Sequence, residues 1–211
     1  MRKYSRIFVL AMMALSTAAF AATTAVNTNT VAPTLQVSAT IQKAVQLTLS
    51  TGTAAVTHCT VVATGGTPDY TMNFGTVDAL GINAGNCNKF NPANPGVDNA
   101  IYWSDYNVTP VFTSHTATSG TTISAQVTTN FGVSNIFIVR DSANSSAVPA
   151  GAGSFTAMGT ATADTIAGNP PGVTSGTALT RFIGVAVTPA NGATVGTGAQ
   201  SATVTFTLTV Q

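Results

Sequence analysis

Thr203-Val204-Thr205-Phe206-Thr207-Leu208-Thr209-Val210 alternates threonine with an apolar side chain without a break. Residues two apart share one face of a strand, so this run predicts a sheet that buries one face and hydrates the other. The same period recurs upstream. Leu35, Val37, Ala39 and Ile41 sit two apart, with Gln36, Ser38 and Thr40 between them. The pattern resumes at Val45, Leu47 and Leu49, which predicts one strand kinked near Gln42 and Lys43.

Further strands are expected at residues 56–63, 70–74, 100–103 and 107–113, with Pro110 demoting the last to an edge or a bulge. Ile123, Ala125 and Val127 alternate, as do residues 136–140. Residues 182–187 read as a strand buried on both faces. Residues 81–99 are dense in Gly, Asn and Pro and predict a long loop. Threonine occurs 38 times, glutamate is absent, and the strong helix formers are scarce. Eight or nine strands with turn signals between them predict an all-β antiparallel β-sandwich, Ig-like in outline. One domain over residues 35–211 is the simplest division. A split near residues 142–177, where Ala, Gly, Ser and Thr predominate, is the alternative.

The N-terminus predicts an address. Arg2, Lys3 and Arg6 precede a short apolar run over residues 7–15, and Ala19-Phe20-Ala21 offers small residues to a signal peptidase. Residues 1–21 are therefore expected to be a signal peptide and residues 22–34 an extended arm. The mature chain is expected to be secreted or displayed at the cell surface, by way of the periplasm in a Gram-negative cell, with no membrane segment after cleavage. It keeps Lys43, Lys89, Arg140 and Arg181 against six aspartates, a net charge of −2. So few cations leave no footprint for nucleic acid or anionic lipid. A neutral, hydroxyl-rich surface also does not oppose packing against copies of itself. In an oxidising compartment the isolated pair Cys59 and Cys87 predicts a disulfide.

Catalytic signatures are missing. His58 and His115 stand alone in the sequence, there is no Gly-x-Ser-x-Gly elbow, and no metal spacing or nucleotide fingerprint occurs. The expectation is a protein that is not an enzyme and needs no metal or cofactor. Tyr102-Trp103-Ser104-Asp105-Tyr106 holds the only tryptophan, and Trp103 and Tyr106 are candidate glycan contacts, with core packing as the competing reading.

Taken together, the cleavable signal, the alternating N-terminal segment, the early cysteine pair and the alternating C-terminal strand resemble subunits of chaperone–usher pili. They resemble, more loosely, spore-coat-U-type secreted domains. Gly198 lies fourteenth from the C-terminus, as is common in that family, and Asn73-Phe74-Gly75-Thr76 is similar to its Phe-Gly signature. Val210 stands where the family usually has a penultimate aromatic. The resemblance implies self-association, with a periplasmic chaperone and an usher as partners. It also implies that one subunit donates its N-terminal segment as a strand to the next. The donor candidates are then Val31, Leu35 and Val37, and the acceptor edge is Gly198, Val204, Phe206, Leu208 and Val210. Two alternatives stay open: a self-complete sandwich whose first strand is residues 31–41, and a monomeric secreted module that binds glycans or mediates adhesion.

Overall fold

The computed structural model describes residues 35–113, 120–168, 172–189 and 198–210. Eleven strands form among them: β1 (Ala44–Thr51), β2 (Val61–Ala63), β3 (Tyr70–Met72), β4 (Asn88–Phe90), β5 (Ala100–Thr113), β6 (Thr122–Thr129), β7 (Ile136–Asp141), β8 (Phe155–Ala157), β9 (Asp164–Ala167), β10 (Leu179–Val187) and β11 (Thr203–Thr209). All pairings are antiparallel. One sheet runs β1-β5-β10-β7-β8, with β4 also on β5, and a second runs β11-β6-β9. β2 and β3 form a separate hairpin. The protein is thus all-β, with antiparallel sheets packed together as in a sandwich. The strands lie in one compact unit that begins at Ile41.

Strand parity explains the core. Tyr102, Tyr106 and Val108 of β5 and Ile183 and Val185 of β10 point to the second sheet, where Ile123, Ala125, Val127 and Ile166 meet them. The opposite parity, Ile101, Trp103, Phe182 and Ala186, faces away and is covered by Phe90 and Phe155. The middle of the larger sheet is therefore buried on both sides, as residues 182–187 predict.

β5 is one strand from Ala100 to Thr113, where the sequence suggests two separated at residues 104–106, and it continues through Pro110. Pro110 sits opposite Leu47 of β1, and the β10 register ends at Val108. The Pro110 carbonyl instead accepts from Gly176 N at 2.6 Å, and Phe112, two residues on, donates its N–H to Ser175 Oγ. The proline nitrogen thus lies on the side away from β1, and no ladder bond is lost. Within the stretch 142–168, β8 pairs with β7 of the first sheet and β9 with β6 of the second.

Cations tie the two sheets together. Arg140 of β7 pairs with Asp164 of β9 at 3.0 Å, and Arg181 Nε of β10 donates to the Ile166 carbonyl at 2.7 Å. The Arg140 guanidinium holds the Asp164 carboxyl below its ordinary value, burial opposes this, and Gly159 N–H adds to it. A carboxyl with a depressed folded pKa stabilises above its unfolded value of 3.8, and that stabilisation is lost as pH falls through the lower folded value. Urea midpoints should therefore fall below about pH 4 more steeply in the wild type than in Asp164→Asn. Equal slopes would remove the pair from the account.

Candidate functional site: an open sheet edge and an apolar arm

β11 pairs with β6 on one side, from Thr203 opposite Thr129 to Thr209 opposite Thr122. On its other side no strand of the described residues pairs with it. Such an edge presents unpaired N–H and C=O groups to any strand that can reach it. Val204, Phe206 and Leu208 pack on the core, and the Phe206 ring meets Tyr106 edge-on at 5.5 Å. These side chains and Val210 are nevertheless only half-buried. β1 is the edge of the other sheet, its Val45 is exposed, and Cα atoms of β1 and β11 approach within 8 Å. The acceptor candidates Val204, Phe206, Leu208 and Val210 thus lie along one open border of the sandwich. Gly198 precedes it with φ +104°, a conformation that a side chain disfavours, in open space.

The donor candidates precede the first strand in sequence. Residues 35–43 hold no strand, which corrects the expected kinked strand over 35–49: pairing begins only at Ala44. Leu35 is 87 % exposed, Val37 82 % and Ile41 83 %. The reading in which this segment is the first strand of a self-complete sandwich does not hold for residues 35–41. Val31 and residues 1–34, with the expected signal peptide and arm, fall outside the described residues.

Trp103 and Tyr106 need correction as glycan contacts. They are 4 % and 3 % exposed, on opposite faces of β5. Trp103 lies among Phe90, Phe155 and Phe182, and burial holds the Tyr106 phenol far above its ordinary pKa, so it stays neutral.

His58 is not alone in the fold. Its Nδ1 lies 2.6 Å from Oδ1 of Asp105, a fully buried carboxylate on β5, whose Oδ2 accepts from Ala54 N at 2.8 Å. The pairing spans 47 residues, and no sequence spacing announces it. Ser104 beside it is fully buried, and its Oγ accepts from Cys59 N and donates to the Asp105 carbonyl. That hydroxyl is thus engaged with the backbone, and the arrangement anchors residues 52–60 to β5. Cys59 ends this segment in a disulfide with Cys87, Cα to Cα 5.2 Å, just before β4. The pair suggests an oxidising, non-cytoplasmic compartment.

Residues 78–83 form a second ordered loop. The Asp78 carboxylate accepts from Leu80 N, Ile82 N and Asn83 N, and Lys89 Nζ donates to the carbonyls of Gly81 and Asn83. Burial raises the Asp78 pKa, but the hydrogen bonds from Asn83, Ile82 and Leu80 together outweigh it and lower the value. Among the described residues no group of three or more His, Cys, Asp or Glu is placed to hold a metal ion, and no helix is long and apolar enough to cross a membrane.

Fold and site together define a disulfide-linked, sandwich-like all-β protein whose C-terminal strand β11 is a sheet edge, with an exposed apolar segment ahead of its first strand. Comparison with protein-family models, with curated proteins and with solved structures gives no match.

Proposed function

We propose that this protein is a secreted structural subunit of a surface filament or coat, and that its copies join by strand exchange. The segment ahead of β1 in one copy, which continues the arm through Leu35, Val37 and Ile41 and is counted with it from here on, runs along the free side of β11 in the next. One observation carries the reading: an exposed segment and a half-covered edge strand share the same two-residue apolar period. Added as a strand, the arm completes the ladder of β11 while its apolar residues cover Val204, Phe206 and Leu208. Burying an exposed Val, Leu or Ile contributes about 1.5–3 kcal/mol, so the three arm residues supply roughly 5 kcal/mol before the cost of ordering the arm. Before assembly, a chaperone strand on the same edge keeps it from premature pairing, and an usher then exchanges one for the other. In this reading the protein turns over no substrate and needs no cofactor.

Deleting residues 22–41 should convert wild-type multimers, seen by light scattering and electron microscopy, into monomers with an unchanged far-ultraviolet spectrum. The triple variant Leu35→Ser, Val37→Ser, Ile41→Ser should do the same with the backbone kept intact. Multimers that survive the triple variant, a deletion that unfolds the domain, or a wild type that stays monomeric at every concentration would refute strand exchange.

A further inference from the structure

On the outer face of the larger sheet, away from β11, lies an open, shallow cavity of about 490 Å³. Phe90 of β4 and Phe155 of β8 wall it, Ile101 of β5 lies between them in the sheet order of the lining, and Asn91, Asp98 and Asn99 supply its polar atoms. We propose that this cavity binds a neutral pyranose sugar.

The two phenyl rings stand 6.3 Å apart, inclined at 56°, and both are half-buried, so each keeps some accessible surface. They are fixed from behind. Trp103 stacks on Phe90 at 5.3 Å and 18°, and its centroid is 6.1 Å from Phe155. The indole is thus the support of the binding wall, which gives the Tyr102–Tyr106 segment a part in sugar contact other than the one its composition suggests.

Asp98 is held in place as well. Its Oδ2 accepts from Asn94 N at 2.9 Å and from Asn94 Nδ2 at 3.0 Å. Among the described residues its Oδ1 and the Asn99 side-chain amide have no protein partner. A pyranose ring matches this arrangement. Its C–H face packs on an aromatic ring, while adjacent hydroxyls donate to a carboxylate and exchange hydrogen bonds with an amide. The lining carries a carboxylate and no Lys or Arg, so sialic or uronic acids meet repulsion with no compensating cation.

The inference is independent of strand exchange, because the cavity does not involve the arm or β11. Its test uses the full mature chain. Trp103 is the only tryptophan and touches Phe90, so its fluorescence reports on the wall. The protein is titrated with glucose, galactose, mannose, N-acetylglucosamine and their disaccharides, with sialyllactose as the anionic comparison. At least one neutral sugar should shift the emission saturably, with sialyllactose weaker. Asp98→Asn should cut that affinity about tenfold, and Phe155→Ala by a similar factor, while thermal melts establish that each variant is folded. Should Phe155→Ala fail to fold, Asp98→Asn alone decides. No saturable neutral ligand, preference for the anionic sugar, or affinity unchanged in folded Asp98→Asn would each overturn the proposal.

Discussion

Asp105→Ala should lower the unfolding free energy by about 3 kcal/mol, read as a shift in the urea midpoint at neutral pH. The carboxylate is fully buried, and both its oxygens are engaged, with Ala54 N at 2.8 Å and His58 Nδ1 at 2.6 Å. Alanine leaves the Ala54 N–H without an acceptor and the imidazole without its partner, and it opens a void beneath residues 52–60. His58→Ala should cost less, about 1 kcal/mol, because the imidazole is partly hydrated and Ala54 N still satisfies one oxygen. Gly52 offers an independent check. A Cβ there would overlap the Asp105 carboxylate, so Gly52→Ala should displace the same group and cost a comparable amount. An Asp105→Ala midpoint indistinguishable from wild type would show that this anchor is dispensable.

Gly184→Val should prevent folding or destabilise by roughly 4 kcal/mol or more, the largest effect expected of any single substitution here. Gly184 sits in the middle of β10, opposite Trp103. A Cβ at this position would lie 2.5 Å from the Tyr102 carbonyl oxygen and 3.1 Å from Trp103 Cβ. The first obstacle is backbone in a strand held on both sides, so it cannot swing aside. Even Gly184→Ala should cost about 2 kcal/mol by displacing the indole from its contacts with Phe90 and Phe182. Thr205→Val, on the exposed face of β11, should leave the melting temperature nearly unchanged. A well-folded Gly184→Val chain with a wild-type midpoint would contradict the packing described for the larger sheet.

The elements legible in the sequence are those whose burial follows strand parity alone. β11 and β6 alternate because each has one apolar face, and β10 is apolar throughout because both its faces are covered. β4, β8 and β9 escape notice. They are three or four residues long, set in Gly-, Asn- and Ala-rich stretches, and they exist because β5, β7 and β6 offer edges to pair with. β5 reads as broken at Ser104 and Asp105 because buried polar groups interrupt the apolar run. Their partners, Cys59 and His58, lie 45 and 47 residues away. The arm shows a different limit. Alternation at Leu35, Val37 and Ile41 identifies a segment able to act as a strand, but period two does not say which chain supplies its sheet. The cavity on the outer face joins Phe90, Asp98 and Phe155 through tertiary packing, and no sequence pattern connects them.

Two of the four cations expected in the mature chain tie the sheets together from inside strands, and Lys89, within β4, is clasped by the carbonyls of Gly81 and Asn83 in the 78–83 loop. Lys43 alone sits on exposed backbone outside any strand, directly before Ala44. Among the described residues the fold thus offers trypsin one exposed scissile bond outside the strands, between Lys43 and Ala44. A protease that cuts there parts the exposed apolar segment from the sandwich, so brief digestion should shorten the chain and leave its folded body whole.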